Sequence, residues 1–427
     1  MQPEEKKAAT PGSGPFLTRR ALFACAAAGT VATASGCSFV SSFGETPEGE
    51  ELLEIEKSSN WRDGAFRNQF PTSVTRSEGA RSISETAGIW WRFLTEKIPD
   101  SRPDRPLHCT RTDLRKLPKT EDLAVWMAHS SIYLQLGGFR FLVDPVFFQG
   151  SPVPFINRSY EFEGGYPFSP GLTPDVDCWI QTHDHWDHLD RDSVLAMKDR
   201  VGQYVMPLGV RSHFECWGVG KNLISSLDWY DAAELGTPGA AVRQVFTKPA
   251  DPGKAASWGP APAPKGAVIY AFPARHFSGR SMKRDQTLWA SFVIEAGGKR
   301  VYLSGDGGYD GHFREVGALF RAKGGFDLAF LECGQYNPRD WPEIHSWPEQ
   351  VAQEATDLGT KAMVPIHNSR YSLARHTWYD PLEKITAASR GKPFRLLTPR
   401  IGDVIRIGDD SQSFPAWWKE LIGKKAA

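Results

Sequence analysis

The sequence predicts an α/β fold in which short apolar β-strands end at polar side chains. Four strand-like runs precede a histidine or an aspartate that can bind a metal. They are Val176–Ile180 before His183, 266–270 before His276, 300–304 before Asp306, and 361–366 before His367. Helices are predicted over 84–96, where apolar residues share one face, and from Pro348 onward. The repeated pattern of a strand with a polar end therefore predicts one site built at the ends of several strands.

The most informative stretch is 181–190, in which His183, His185, Asp187 and His188 fall within six residues. Alternate residues of an extended chain point to one side, so the first three can converge, and a turn brings His188 round. Imidazole nitrogens with one carboxylate suit zinc, with manganese or iron as alternatives. Two ions are favoured, because adjacent Asp187 and His188 can hardly both reach an ion already held by the first two histidines. The alternative, a polar loop with chance histidines, is a poor match for a chain with 11 His in 427 residues.

Three further candidate ligands lie downstream of this cluster. Glycines flank Asp306 and would let the backbone approach whatever the carboxylate binds. His276 and His367 each follow an apolar run, although a histidine at a strand end is more often an ordinary surface residue. Together with the first cluster, these three residues would complete the ligand sets of two metal ions.

The order of these ligands, HxHxDH, then His, then Gly-Asp-Gly, then His, resembles the metallo-β-lactamase superfamily. Within it, the chain resembles the branch of phospholipases D that hydrolyse N-acylphosphatidylethanolamine, over about residues 66–397. The closer match is carried by WMAHSS (126–131), FLVDPVF (141–147), MPLG (206–209), LDWY (227–230), PARHFS (273–278), GDGGY (305–309) and EIHSWPE (343–349). A lactonase of sugar phosphates shares parts of the pattern. The resemblance implies an αββα metallo-β-lactamase sandwich with a dinuclear metal site at the strand ends.

The same resemblance implies a role for each ligand. His183, His185 and His276 would hold one zinc ion, Asp187, His188 and His367 a second, and Asp306 would bridge the two. A hydroxide shared by the ions would attack the substrate, and no serine or cysteine nucleophile is needed. Mn²⁺ or Fe²⁺ are alternatives to Zn²⁺. Catalytic roles are expected for Asp187, Asp306, Asp184 and His345; for Asp184, a loop acid that orients a histidine is an equal alternative.

Metal-bound imidazoles hand their other ring N–H to a carboxylate or a carbonyl, which predicts supporting residues behind the ligands. Asp144 follows the apolar run Phe139–Val143 and is a candidate, with a simple Asp-Pro turn as the alternative. His129 follows another strand and is a second candidate, with a purely structural role as the alternative. Arg275, Arg280 and Arg370 lie near the ligands and could pair with a phosphate, or could simply be solvated.

The N-terminus resembles an export signal. Arg19 and Arg20 form a twin-arginine pair, and the mildly apolar run 21–36 is too short to span a bilayer. Cys37 lies at a site that resembles bacterial lipoprotein processing, so it would carry lipid; a cleaved signal without lipid is the alternative. Ser38 favours the outer membrane of a Gram-negative host. We therefore expect a signal over 1–37, a flexible tether over 38–82, a catalytic domain over 83–427, and a periplasmic or cell-envelope location.

Composition narrows the function further. The 50 basic and 50 acidic side chains give a formal charge of zero, which argues against nucleic acid as a partner. Of the 15 Trp, several lie near the motif segments and suit an acyl chain or a lipid headgroup, although core packing is the usual role of tryptophan. The resemblance, together with this composition, implies a zinc-dependent phosphodiesterase of phospholipids such as N-acylphosphatidylethanolamine. The alternatives are a lactonase or another phosphoesterase of the same fold, and a non-catalytic envelope lipoprotein.

Overall fold

The computed structural model describes residues 40–74, 98–151, 160–237, 239, 245–249, 251, 254, 256–258, 266–281, 283–374 and 376–422. The chain divides into two units, Met1–Ser42 and Phe43–Ala427, and every element below belongs to the second. The predicted export signal, Cys37 and the helix predicted over 84–96 lie outside the described residues. No helix among the described residues has both the length and the apolar character needed to cross a bilayer.

Residues 43–74 carry regular structure. Helix α1 (Gly49–Ile55) is followed by a small hairpin of β1 (Trp61–Arg62) and β2 (Ala65–Phe66). Ile55 is 0% exposed and Phe66 is 1% exposed, and both belong to the main hydrophobic core. This segment was predicted as part of a flexible tether over 38–82. The acidic and glycine-rich composition of the segment concealed these two apolar anchors, which tie it to the catalytic domain.

The first large sheet has seven strands in the order β18-β3-β4-β5-β6-β7-β8. Its strands are β3 (Leu123–Trp126), β4 (Ile132–Leu136), β5 (Phe139–Val143), β6 (Val176–Ile180), β7 (Val201–Pro207), β8 (Ile224–Leu227) and β18 (Val404–Arg406). The run from β5 to β8 is parallel and the remaining pairs are antiparallel. Strand β6 is almost wholly buried, as expected for a parallel strand covered on both faces.

The second large sheet also has seven strands, in the order β17-β16-β15-β14-β13-β12-β9. Its strands are β9 (Ala232–Glu234), β12 (Val268–Phe272), β13 (Ser291–Ala296), β14 (Lys299–Leu303), β15 (Leu328–Glu332), β16 (Ala362–Ile366) and β17 (Arg395–Leu396). The pairs from β14 to β17 are parallel, and those from β9 to β14 are antiparallel. A further hairpin pairs β10 (Phe246–Thr247) with β11 (Ser257–Trp258).

Helices connect the parallel strands of both sheets. They are α2 (Arg191–Met197) and α3 (Arg211–Cys216) in the first sheet, and α4 (His312–Arg321), α5 (Pro348–Leu358) and α6 (Asp380–Ala388) in the second. Helix α5 begins at Pro348, as predicted, and ends at Gly359, whose φ of 68° suits glycine. Helix α4 packs against α5, and α5 packs against both α6 and β15.

The two sheets share one core, because buried apolar side chains from both belong to a single cluster. A hydrogen bond from Ala290 N to Thr182 O, 3.0 Å long, joins a loop of one sheet to a loop of the other near the strand ends. With helices between the parallel strands, this is the αββα sandwich that was predicted. Parallel strands joined by crossover helices end at the same edge, so the segments after β14, β15 and β16 lie side by side.

Candidate metal centre

Four side chains form a first group of potential ligands: His183, His185, His276 and Asp306. One ligand atom of each lies within 4.8 Å of the others. The Nε2 atoms of His183 and His276 each lie 3.8 Å from Asp306 Oδ2, and His276 Nε2 lies 3.1 Å from His185 Nδ1. Burial lowers the pKa of His183 and His276 well below the ordinary value, and that of His185 to about 4. All three rings are therefore neutral at pH 7, which is the form that binds a cation.

A second group consists of His129, Asp187, His188 and His367, with ligand atoms again within 4.8 Å of one another. His129 Nε2 lies 2.8 Å from Asp187 Oδ2, and His188 Nε2 lies 3.9 Å from the same oxygen. The ring of His129 packs on that of His367 with centroids 4.1 Å apart. His129 therefore contacts a carboxylate of the group directly; the sequence analysis expected it as a supporting residue near the ligands, with a purely structural role as the alternative.

Asp306 lies between the two groups. His188 Nε2 and His367 Nδ1 are each 3.1 Å from Asp306 Oδ1, while the histidines of the first group face Oδ2. Burial raises the pKa of Asp306 to about 6. Burial also lowers the pKa of His188, but Asp306 and the hydrogen bond with Asp144 outweigh it, so this pKa lies well above the ordinary value. One oxygen of this carboxylate thus faces each group; the expected bridging of two ions by Asp306 stays a prediction.

The chemistry of these atoms fits a divalent metal. His183 Nε2, His188 Nε2 and Asp306 Oδ1 are buried, and none has a hydrogen bond of good geometry to another described residue, although His188 Nε2 lies 3.1 Å from Asp306 Oδ1. A buried polar atom without a partner costs about 1–3 kcal/mol, so three in one place fit a site that binds a cation. Imidazole nitrogens and carboxylate oxygens are the donors that zinc and related divalent ions prefer.

Asp144 supports the second group from behind. Its Oδ2 lies 2.8 Å from His188 Nδ1, and its two oxygens accept hydrogen bonds from Thr182 N at 2.8 Å and Thr182 Oγ1 at 2.5 Å. Thr182 Oγ1 also lies 2.9 Å from His183 Nδ1. Asp144 therefore connects the ligand loop after β6 to the end of β5 and orients the His188 ring.

Three residues of the centre have a left-handed backbone. The φ angles are 51° at His129, 42° at Asp144 and 62° at His367. Residues other than glycine rarely adopt positive φ, at a cost of roughly 1–3 kcal/mol each. Each of the three lies just beyond a strand end, where the chain turns so that the side chain meets the two groups. Such strain persists only where surrounding contacts hold it, and it concentrates at functional sites.

The side chain of Asp184 contacts the segment that follows His276 and does not belong to either group of potential ligands. Its carboxylate accepts hydrogen bonds from Ser278 Oγ and Thr287 Oγ1, both at 3.0 Å, and from Gly279 N at 3.3 Å. Burial alone would raise the pKa of Asp184. His213, 3.6 Å away, is the main group that opposes this effect, and the net shift of the pKa is downward. Asp184 ties the ligand loop to the segment after β12. Its expected catalytic role remains a prediction.

His345 lies beside the two groups, and its ring is partly open to solvent. One ligand atom each of His345, Asp306 and His367 lies within 4.8 Å of the others. The ring of His345 stacks on that of His367 with centroids 5.3 Å apart, and its side chain is 12% exposed. Its Nδ1 lies 3.2 Å from Oε1 of Glu332, the last residue of β15. The sequence analysis missed Glu332, although it follows an apolar run in the same way as the predicted ligands.

The sequence analysis also missed residues 60–74, which we call the strap. Asn68 Nδ2 donates to His276 O at 2.8 Å, and Asn68 Oδ1 accepts from His276 N at 3.1 Å and from Trp289 Nε1 at 3.1 Å. The strap therefore holds the backbone of a candidate ligand. A cavity of about 700 Å³ beside His276 is lined by Arg62, Phe66, Arg67, Phe70, Phe277 and Arg284, among others.

The three arginines noted in the sequence are engaged by the protein itself. Arg275 Nη2 lies 2.9 Å from Glu343 Oε2, and Arg370 Nε lies 3.0 Å from Glu161 Oε1. Arg280 is 1% exposed and donates to Asp184 O at 2.9 Å and Leu189 O at 2.7 Å. Its guanidinium also lies 4.0 Å from the centroid of the Trp186 ring. These cations brace the loops that carry the ligands.

Fold and site together define a metallo-hydrolase of the αββα type. The family model for the beta-lactamase superfamily domain matches residues 139–368, a span that contains all seven predicted ligands. The chain belongs to this superfamily and is one of its metal-dependent hydrolases.

The chain is similar to three further proteins. An uncharacterized protein of Mycobacterium tuberculosis is 31% identical over 414 residues, covering 94% of this chain and 100% of that protein. The outer membrane protein RomA of Klebsiella pneumoniae is 47% identical over 109 residues, 26% of this chain and 80% of that protein. The N-acyl-phosphatidylethanolamine-hydrolyzing phospholipase D 1 of Caenorhabditis elegans is 24% identical over 271 residues, 61% of this chain and 68% of that protein.

Proposed function

We propose that the protein is a dinuclear, zinc-dependent phosphodiesterase that cleaves phospholipids of the N-acylphosphatidylethanolamine kind. The observation that carries this proposal is Asp306, whose two oxygens face two separate groups of histidines. The similarity to the Caenorhabditis elegans phospholipase supports the choice of substrate.

We assign His183, His185 and His276 to the first metal ion and Asp187, His188 and His367 to the second, with Asp306 shared between them. Two divalent ions bound there would supply a hydroxide at neutral pH and would offset negative charge on a phosphoryl oxygen. The protein contributes neutral imidazoles, a shared carboxylate, and the supports Asp144 and His129. His345, at the partly open side of the centre, is the residue we assign to contact with the substrate. Metal analysis of protein purified without added metal decides between Zn²⁺ and the alternatives Mn²⁺ and Fe²⁺.

The surroundings of the centre favour a lipid over a small sugar-phosphate lactone. A phosphorylated lactone needs several cationic groups that converge on its ring and phosphate. Arg275, Arg280 and Arg370 are instead paired with groups of the protein. The cavity beside His276 combines the aromatic rings of Phe70 and Phe277, which suit an acyl chain, with Arg62, Arg67 and Arg284, which suit the phosphate of a phospholipid.

The test is an assay of metal-loaded protein against N-acylphosphatidylethanolamines of increasing acyl-chain length in mixed micelles, with soluble lactones as the comparison. We expect release of the N-acylethanolamine and phosphatidic acid, with activity that rises with chain length. A clear preference for a short, soluble lactone would refute the lipid substrate while leaving the metal assignment in place. Absence of turnover of every substrate by fully loaded protein would favour a non-catalytic role.

We further propose that the protein is exported by the twin-arginine route and tethered to the outer membrane through a lipidated Cys37. The similarity to the outer membrane protein RomA of Klebsiella pneumoniae supports this location. Replacing Cys37 by serine should then move the protein from the membrane fraction to the soluble fraction, because the acyl chains supply the anchoring. Persistent membrane association of the Cys37→Ser protein would contradict a lipid anchor.

A further inference from the structure

The cavity next to the metal centre lies between the strap and the loop 283–286. Hydrogen bonds join the two segments: Phe66 N donates to Asp285 O at 2.9 Å, and Gln286 Nε2 donates to Gly64 O at 3.1 Å. The cavity has a volume of about 700 Å³, which is the size of a pocket for a small organic ligand. Its two walls are therefore fixed to each other, with room between them for part of a lipid.

Three guanidinium groups line this cavity, and we call them the arginine rim: Arg62 and Arg67 of the strap, and Arg284 of the loop. All three side chains are exposed, and none forms an ion pair with an acid among the described residues. Lys283 adds a cation beside the strap, since its Nζ lies 3.7 Å from the point that a Cβ of Gly64 would occupy. The arginines discussed above are instead paired with groups of the protein. The rim therefore carries charge that can meet a ligand.

Two acids share the cavity wall without cancelling this charge. Asp63 is exposed, and Asp285 Oδ1 accepts a hydrogen bond from Ser278 N at 3.2 Å. Within the described part of the chain, neither carboxylate forms an ion pair with the rim. The three arginines outnumber the two acids in the lining, and Lys283 lies nearby. The cavity thus keeps a positive potential, which attracts an anion and repels a cation.

The ring of Phe277 contacts both the rim and the metal centre. Arg284 Cζ lies 4.5 Å from its centroid, and the ring centroids of His185 and His276 lie 4.5 Å and 4.9 Å from the same point. The charge of the rim acts over such distances, because the Debye length is about 8 Å at physiological ionic strength. A phosphodiester whose phosphorus lies at the metal centre therefore has its headgroup in the field of the rim.

We propose that the arginine rim is a charge filter, which favours phosphodiesters without an ammonium group and disfavours those that carry one. This inference rests on the proposed function and names the feature of the substrate that the site selects. The amine of phosphatidylethanolamine is cationic, whereas N-acylation turns it into a neutral amide and leaves the phosphate as the only charge of the headgroup. The rim attracts this anion and repels the ammonium group of a zwitterionic lipid, and such repulsion is an effective source of specificity.

The competing explanation is that the three arginines are ordinary solvated surface groups. The chain offers a matched control for this. Arg390, which follows α6, is likewise exposed and forms no ion pair among the described residues, but it does not line the cavity. If only the overall charge of the protein mattered, reversal of charge at Arg390 and at a single residue of the rim should have equal effects.

The kinetic experiment uses the full, metal-loaded protein and two pairs of substrates, each with one member that carries an ammonium group. The lipid pair is N-acylphosphatidylethanolamine and phosphatidylethanolamine in mixed micelles. The soluble pair is bis(p-nitrophenyl) phosphate and p-nitrophenyl phosphocholine. We expect Arg62→Glu/Arg67→Glu/Arg284→Glu to lower the ratio of kcat/KM, anionic over zwitterionic, by about 10-fold at low salt. Metal content should be unchanged.

Single variants and salt complete the kinetic test. Arg284→Glu should lower the ratio by itself, while Arg390→Glu should leave it within about twofold of the wild type. Added NaCl should lower the ratio of the wild type, because salt screens exposed charges, and should change that of the triple variant less. An unchanged ratio in the triple variant, an equal change in Arg284→Glu and Arg390→Glu, or a wild-type ratio independent of salt would overturn the proposal.

A second readout does not depend on turnover. Calorimetric titration with dihexanoyl phosphatidylglycerol and dihexanoyl phosphatidylcholine, both below their micelle concentrations, compares an anionic with a zwitterionic lipid. We expect tighter binding of the phosphatidylglycerol by the wild type, and loss of this preference in the triple variant with an unchanged Tm. Equal affinity of the wild type for both lipids would refute the filter. If N-acylphosphatidylethanolamine is not cleaved, the proposed function falls, while the soluble pair and the titration still decide the role of the rim.

Discussion

The two large sheets contribute to the metal centre in different ways. The first sheet supplies four of the seven proposed ligands from the single loop after β6, namely His183, His185, Asp187 and His188. The second sheet supplies His276, Asp306 and His367 singly, from the ends of β12, β14 and β16, over about ninety residues of chain. A local motif builds one half of the site, and strand order builds the other. The second half should therefore tolerate less disturbance of distant contacts.

The largest expected effect follows from the one residue shared by both groups. We predict that Asp306→Asn loses most of both metal ions and lowers kcat/KM by on the order of 100-fold or more, because a neutral amide cannot offset two divalent cations. Metal content by atomic emission and turnover measure this. Asp310→Asn is the control. Asp310 is a nearby carboxylate that pairs with Arg275 and belongs to neither ligand group, so this variant should retain both ions. Full dinuclear occupancy in Asp306→Asn would contradict the shared role.

A comparison of one ligand from each half sharpens the contrast. We expect His276→Ala to lose one metal equivalent from the first group and His188→Ala to lose one from the second, with the other ion retained in each variant. The reason is that the ligand atoms fall into two separate groups, each within 4.8 Å. Titration of the metal-free variants with Zn²⁺ gives the stoichiometry. Loss of both ions in both variants would show that the groups bind metal as a single unit.

The strap should affect only the first group of ligands, through His276, and less strongly than the loss of a ligand. Asn68→Ala removes both hydrogen bonds to the His276 backbone, so we predict about 10-fold weaker zinc binding at the first group and little change at the second. Competition with a chelating dye measures the two affinities. Gln69→Ala is the control, because Gln69 bonds to Glu315 of α4 at 3.2 Å and leaves His276 untouched. Equal affinities in all three proteins would remove the strap from the metal site.

The smallest effect is the acid sensitivity of the metal-free protein. Burial lowers the pKa of His129 and of His185 to about 4 from an ordinary value of 6.5. Between these values the unfolded chain binds more protons than the folded one, so stability should fall as the pH drops from about 6.5 to about 4. His188 has a raised pKa, so its stabilising contribution is already complete below pH 6.5 and does not counter this loss.

Thermal unfolding of chelator-treated protein across this pH window measures the effect. We expect Tm to fall steadily, and to fall less steeply in His129→Asn, which lacks one of these buried bases. A Tm that stays constant from pH 6.5 to 4.5 would mean that these rings take up protons while the protein remains folded.

Much of the architecture followed from local patterns. The predicted strands Val176–Ile180 and Phe139–Val143 coincide with β6 and β5, and α5 begins at the predicted Pro348. A strand of this kind is recognised from consecutive residues of the chain, so a single sequence is enough to predict it. The superfamily and its sandwich fold are confirmed, while the individual ligand roles stay predictions. The error over residues 43–74 arose because Ile55 and Phe66, two anchors in a polar segment, leave no periodic pattern.

By itself, the sequence determined the composition of the centre: a cluster of ligands in one loop, and single ligands after later strands. Their convergence was decided by tertiary structure, because β12, β14 and β16 meet only through the order of strands in the second sheet. The same is true of Asp306 between two groups, of Asn68 behind His276, and of Glu332 behind His345. Some of these contacts join residues that are well separated in sequence. Others depend on which ring nitrogen or carboxylate oxygen faces which neighbour. Periodicity and spacing carry no information about either, and only the packed fold supplies it.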